Sequence, residues 1–396
     1  MLAKRMHHIA MSPTAEMTAR VAELRQEGKD IISLNVGEPD FATPEHIKAA
    51  GIRAIDENFT RYTAASGIAE LRKAISAKLL RDNNISYAVN EICVTVGAKQ
   101  AIFNTLMALC EAGDEVLIPI PCWVSYTDMV KLTGAEPVLV PTSKESGFAL
   151  DLDVIQKAIT DRTKAIILCT PNNPTGAVYS EKSLYELAKL ACAHDFYIIA
   201  DEVYEKLTYG EEKHFSIASI SGEVWDRTVT INAVSKTYAM TGWRIGYAAA
   251  PRNIISAVST LQSQTTSGAC AISQKAALEA IAGSQEEVRT MVAEFDKRRR
   301  YVEARLNAMD GIECHSARGA FYVLPDVTNF YGKSFEGRVI TSSSDLTKFL
   351  LEKALVSIVP GEAFNAPGSM RISYSNSMEN LQEAMDRLEQ ALQLLR

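Results

Sequence analysis

The chain has 396 residues, 47% of them hydrophobic and 22% charged, with Lys plus Arg 41 against Asp plus Glu 48 and a net charge of −7. No block of like charge stands out, which argues against a nucleic-acid-binding face, and no apolar stretch approaches the ~18 residues that suggest a membrane span. Seven cysteines (Cys93, Cys110, Cys122, Cys169, Cys192, Cys270 and Cys314) are odd in number and lack a C-x-x-C pair, so a disulfide framework or zinc site is disfavoured and a reducing cytoplasm is expected.

The first 16 residues read as an ordered arm, since they lack the uninterrupted apolar core and small-residue cleavage pattern of an export signal. Residues 19–28 follow as a helix and 31–34 as a short strand. Apolar, Val/Ile-rich runs at 92–96, 115–118, 137–140, 165–169, 197–200 and 229–232 predict strands buried on both faces. Periodic stretches at 98–112, 152–158 and 180–194 predict helices between them. Strands alternating with helices define an α/β chain with a mainly parallel sheet flanked by helices.

From about residue 286 the pattern changes. A long charged amphipathic helix is expected at 287–309, then short strands near 320–324, 356–359 and 370–374, and a last helix over 378–395. These elements predict a smaller α+β domain. The expected division is 1–45 for an arm and part of the small domain, 46–285 for the large domain and 286–396 for the small C-terminal domain. There is no G-x-G-x-x-G after a strand, no complete P-loop and no H-E-x-x-H. The six histidines are scattered, and no metal site is expected.

Four segments carry chemistry. In the 234–247 segment, Lys236 follows an apolar strand in a small-residue loop, where an amine can form a Schiff base with a carbonyl. Arg244 stands eight residues further on, and its guanidinium fork suits a phosphate. An amine, a phosphate and an aldehyde together suggest pyridoxal phosphate. Asp201 ends another apolar run, where ligands of open α/β sheets bind, and can hold a pyridine nitrogen protonated, with Tyr204 within reach of a ring oxygen. In Thr170-Pro171-Asn172-Asn173-Pro174-Thr175-Gly176, a proline-fixed turn can present the Asn173 amide to the same oxygen. Gly97, Ala98 and Lys99 open a helix whose N–H groups can approach a phosphate. Each segment alone also has an ordinary reading, as an ion pair, a helix cap or a turn.

In order along the chain stand Asn35-Val36-Gly37-Glu38-Pro39-Asp40-Phe41, Tyr62-Thr63-Ala64-Ala65-Ser66-Gly67, Gly97-Ala98-Lys99, Pro121-Cys122-Trp123-Val124-Ser125-Tyr126, Asn172-Asn173-Pro174-Thr175-Gly176, Asp201-Glu202-Val203-Tyr204, Ser235-Lys236, Gly242-Trp243-Arg244 and Met370-Arg371-Ile372-Ser373. With these motifs the chain resembles the fold-type-I pyridoxal-phosphate enzymes of the class I aminotransferases, in the bacterial aspartate aminotransferase group, over residues 34–375. The resemblance implies that Lys236 carries the cofactor aldehyde and later moves the substrate proton, and that Asp201 pairs with the pyridinium. It implies that Asn173 and Tyr204 bond the ring oxygen and that Trp123 stacks on the ring. Ala98, Lys99, Ser235 and Arg244 would hold the phosphate, helped by Tyr62 of a neighbouring subunit in a homodimer. Arg371 would grip the substrate α-carboxylate with help from the Gly37 backbone, and Lys99 would face a distal carboxylate.

The expected reaction is ping-pong transamination between aspartate and 2-oxoglutarate. The alternatives are an aromatic, alanine or prephenate aminotransferase or a carbon–sulfur lyase on the same scaffold. A non-catalytic ligand sensor is a distant third, disfavoured because the roughly 30 residues before the first expected strand are too few for a DNA-binding domain and the net charge is acidic; a degenerate, inactive homologue would have lost Lys236 or Asp201, and both are retained. The arm segment Met11-Ser12-Pro13-Thr14-Ala15-Glu16 does not decide among substrates.

Overall fold

The computed structural model describes residues 2–7, 9 and 13–396. Met11 and Ser12 of the arm segment lie outside the described residues, as do the side chains of residues 13–16.

Among the described residues, fourteen strands follow in chain order. They are β1 (Ile32–Ser33), β2 (Ile92–Thr95), β3 (Glu115–Ile120), β4 (Glu136–Pro141), β5 (Thr163–Cys169), β6 (Tyr197–Asp201), β7 (Thr228–Ala233), β8 (Gly246–Ala249), β9 (Tyr322–Val323), β10 (Ser334–Phe335), β11 (Arg338–Val339), β12 (Val356–Ser357), β13 (Val359–Pro360) and β14 (Met370–Ser373). A seven-stranded sheet runs β2-β8-β7-β6-β5-β3-β4. Its β4-β3-β5-β6-β7 portion is parallel, and β8 runs antiparallel to both β7 and β2. The central strands are nearly all apolar and buried, because helices cover both faces.

Register decides where the chemistry emerges. Cys169 of β5 pairs with Asp201 of β6, and Asp201 pairs with Ile231 of β7. The three strands therefore end at one sheet edge, and the segments at 170–173, 201–204 and 234–236 leave it side by side.

Six large-sheet strands stand where the apolar runs predicted them. The seventh, β8, was not foreseen. Its Gly-Tyr-Ala-Ala sequence lacks the β-branched run that marks a strand. Small residues are required there, because a Cβ on Gly246 would meet the backbone of Gly97 and Ala98, where the Ala98–Leu109 helix begins.

A three-stranded antiparallel sheet, β13-β14-β9, lies in the C-terminal part. The expected 287–309 helix is observed as Glu286–Asn307 and the last helix as Met378–Leu392. The latter starts on Ser377, whose hydroxyl accepts the Asn380 N–H at 3.2 Å, and buries Leu381, Met385, Leu388 and Leu392. The N-terminal β1 pairs in parallel with β12. The Ser373 N–H of β14 also bonds the Leu34 carbonyl at 2.9 Å. The loop at 35–38 is thus held beside β14, far away in sequence. No helix among the described residues is long and apolar enough to cross a membrane.

Candidate active site

A cavity of about 580 Å³ opens where the ends of β5, β6 and β7 face β14. Ala98, Lys99, Trp123, Asn173, Asp201, Tyr204, Ser235, Lys236, Arg244, Arg371 and Gly37 all line it. Gly97 stands just behind, against the Arg244 guanidinium. Tyr62 does not line this cavity; its side chain is 99% exposed.

At one end, the first N–H groups of the 12-residue Ala98–Leu109 helix converge with Ser235 and Arg244. Arg244 donates to the carbonyl of Thr241 at 2.8 Å and pairs with no carboxylate among the described residues. A helix start beside an unpaired guanidinium is an anion site. Lys99 opens the same helix, its ammonium 4.8 Å from the centre of the Trp123 ring system. Burial and the neighbouring Arg244 push the Lys99 pKa down.

In the middle, Asp201 is fully buried and accepts the Tyr126 hydroxyl at 2.6 Å. Burial pushes its carboxyl up to about 6, against the pull of Tyr126 and the Val203 N–H. Lys236 sits on the single helical turn after β7 and donates to the Gly37 carbonyl. Burial brings its amine down to about 8; Arg244 and Arg371 act in the same direction, whereas Glu38 opposes them. Trp123 packs edge-on to Tyr126 at 5.4 Å, and the Tyr204 hydroxyl lies 3.0 Å from that of Tyr322.

At the other end, Arg371 of β14 is buried, with Nη1 bonded to Asn173 Oδ1 at 3.1 Å and Nη2 to the Asn35 carbonyl at 2.7 Å. Its Nε has no partner, and no carboxylate pairs with it among the described residues. A buried guanidinium left so is costly unless a ligand supplies the anion. The Thr170-Pro171 and Asn173-Pro174 peptides are both cis, and the Asn173 turn carries this contact.

Charge states the requirement most simply. Among the described residues, four cationic side chains line the cavity (Lys99, Lys236, Arg244 and Arg371), and Asp201 alone is acidic. The ligands must bring negative charge at two separated places.

Sequence reasoning gave no role to Tyr126, Tyr322 or Asn35. Tyr126 stood in a quoted motif, three residues after Trp123, which was a usable signal. Asn35 likewise opened a quoted motif, two residues before Gly37, but nothing local marked Tyr322. Also unforeseen was a buried network behind Asp201. There Lys78 pairs with Glu205, Asn83 donates to Glu205 at 2.7 Å, and Ser216 bonds Glu202, which lies 3.1 Å from His214. Glu202, Glu205 and His214 approach one another as metal ligands would, but Lys78 already supplies a cation there.

Comparison with known proteins agrees with this geometry. The family model of class I and II aminotransferases matches residues 29–388. The chain is 44% identical to a probable aspartate/prephenate aminotransferase of Aquifex aeolicus, covering 99% of this chain and 98% of that one. It superposes on the aspartate aminotransferase of Rhizobium meliloti with a TM-score of 0.96 at 41% identity, covering 100% of both chains. A Thermus thermophilus aspartate aminotransferase solved with maleate gives 0.93 at 41% identity, covering 99% of each. The chain belongs to the class I and II aminotransferase family. It is an aminotransferase of the fold-type-I α/β class, and its cofactor is pyridoxal phosphate. The cavity fits that group: an anion site for its phosphate, a buried carboxylate for its ring nitrogen, an indole for its face and a half-buried amine for its aldehyde.

Proposed function

We propose that this aminotransferase moves the amino group of L-aspartate to 2-oxoglutarate, giving oxaloacetate and L-glutamate. The observation that carries the proposal is the surplus of unpaired cations around one cavity. The phosphate answers Arg244 and the helix start. With Lys236 given to the cofactor aldehyde, two cations remain, Arg371 and Lys99, and a dicarboxylic substrate answers both. Maleate, present in the Thermus thermophilus structure, is itself a four-carbon dicarboxylate.

The residues then act as follows. Arg244, Ser235 and the backbone at Ala98 and Lys99 anchor the phosphate, with Tyr62 reaching in from a second copy of the chain. Trp123 covers the ring, Asp201 keeps the pyridine nitrogen protonated, and Asn173 and Tyr204 bond the ring oxygen. Arg371 takes the substrate α-carboxylate in a charge-assisted grip, with the Gly37 backbone beside it. Bound pyridoxal phosphate supplies the sink for the electron pair left on the substrate Cα. Desolvation lowers the Lys236 amine to about 8, so it exists partly as the neutral base at physiological pH. Its amine would take the proton from the substrate Cα and hold it at Nζ for return within the site.

Amino donor and acceptor occupy the same grip in turn, which makes the kinetics ping-pong. We further infer residues 46–285 as the large cofactor-binding domain, 1–45 as an arm and part of the small domain, and 286–396 as the small C-terminal domain. A homodimer in the cytoplasm is the working form, a reading supported by the 99% exposure of Tyr62 and by seven unpaired cysteines.

The test is kcat/KM for aspartate, alanine and phenylalanine with 2-oxoglutarate as acceptor. Aspartate should lead by about 100-fold, the worth of one buried charge pair at the low end of such contacts. A preference for alanine or phenylalanine would overturn the substrate assignment. Release of ammonia and pyruvate from cystathionine would replace transfer by lyase chemistry.

A further inference from the structure

Tyr322 stands where the seven-stranded and three-stranded sheets meet. It belongs to β9, paired at Ser373 of β14, two residues beyond Arg371. Its hydroxyl lies 3.0 Å from that of Tyr204, the two rings crossing at 82°. Its ring lies 4.5 Å from the Arg371 guanidinium, and Phe364 stands 4.8 Å from the same group. The hydroxyl also abuts the substrate loop, since a Cβ on Gly37 would fall 2.8 Å from it. One buried side chain thus touches the ring-oxygen tyrosine, the carboxylate-binding arginine and the substrate loop.

We propose that Tyr322 is a positioning residue that couples the cofactor end of the site to the substrate end. Its hydroxyl donates to Tyr204 and strengthens Tyr204 as a donor to the cofactor's ring oxygen. Its ring face holds the Arg371 guanidinium in place for the substrate carboxylate. This rests on the roles given above to Tyr204 and Arg371.

The direction of the hydrogen bond follows from proton count. A phenol has one proton. Once Tyr204 spends its proton on a ring oxygen that carries negative charge, the proton between the two tyrosines must come from Tyr322. Donation into Tyr204 polarises it and strengthens its outgoing bond. The choice of residue at 322 also follows. A carboxylate there would pair with Arg371 and compete with the substrate. A phenol supplies a hydrogen bond and a π face while leaving the Arg371 charge unanswered. The groups surrounding the Tyr322 hydroxyl are Arg371 of β14, Tyr204 after β6, Cys169 ending β5 and Glu38 of the loop after β1; burial keeps the phenol protonated.

The experiment uses the holoenzyme and reads the pH midpoint of the bound cofactor's absorbance change, together with the Kd of maleate by spectral titration. A donor to the ring oxygen favours its anionic form and lowers that midpoint. Tyr322→Phe should therefore raise it by about half a pH unit, in the same direction as Tyr204→Phe but by less. Maleate affinity in Tyr322→Phe should stay within about twofold, because the ring face remains. Tyr322→Leu, which loses the ring, should weaken maleate about tenfold. An unmoved midpoint in Tyr322→Phe, with Tyr204→Phe shifted, would overturn the coupling alone. An unmoved midpoint in Tyr204→Phe would overturn both the coupling and the role assigned to Tyr204. Unchanged maleate affinity in Tyr322→Leu would remove the link to Arg371.

Discussion

At the phosphate end of the cavity every lining group within one chain comes from a segment of the seven-stranded sheet: the helix after β2, the turn after β7 and Arg244 just before β8. At the carboxylate end, Arg371, Asn173, Asn35 and Tyr322 come from four distant parts of the chain and are held by contacts between the two sheets. The first end is a local property of strand-to-helix turns. The second exists only when β1, β9 and β14 are packed against the edge of the large sheet. Damage at the two ends should therefore appear in different constants.

Lys236 lies between them and belongs to both half-reactions, so Lys236→Ala should give the largest effect. We expect turnover to fall by ~10⁴-fold or more, the combined loss of nucleophile and base, measured as aspartate-dependent oxaloacetate formation. Next comes Arg371→Ala. It should raise the KM for aspartate by ~10³-fold, the scale of a lost buried charge pair, while the dissociation constant of pyridoxal phosphate moves less than about threefold. Arg244→Ala is its mirror. Cofactor affinity should fall ~10²-fold, with a smaller change in the KM for aspartate measured at saturating cofactor. If both variants moved both constants equally, the distinction between the two ends would be lost.

A further effect concerns the stability of the cofactor-free protein. Burial raises the Asp201 carboxyl from 3.8 to about 6. The folded state thus keeps a proton that the unfolded state releases between those values. Stability from this group is greatest at low pH and falls as pH rises through that window. Asp201→Asn keeps an acceptor for Tyr126 but cannot ionise. Cofactor-free Asp201→Asn should be more stable than the parent at pH 7.5, by up to ~3 kcal/mol. The advantage should vanish near pH 4, and urea unfolding at the two pH values reads the difference.

Much of the architecture was legible because it rests on local pattern. The runs that became β5, β6 and β7 are apolar and β-branched, so their ends located Asn173, Asp201 and Lys236 on one edge. β8 escaped because close packing against the start of the Ala98–Leu109 helix demands small residues, which carry no strand signal. Tyr322 and Asn35 escaped for another reason. Tyr322 lies on a two-residue strand defined by its pairing with β14, and Asn35 contributes a backbone carbonyl, which no side-chain motif reports. The Lys78–Glu205 pair was equally hidden, since its partners are far apart in sequence and meet only on folding.

The most direct test of the central claim, that this cavity binds a dicarboxylic amino acid and takes its amino group, is one half-reaction followed by absorbance. The holoenzyme is mixed with L-aspartate alone, without a 2-oxo acid. The cofactor band in the ~360–420 nm region should give way to one near ~330 nm as pyridoxamine phosphate forms, with oxaloacetate released in equal amount. A cofactor band that aspartate leaves unchanged would contradict it.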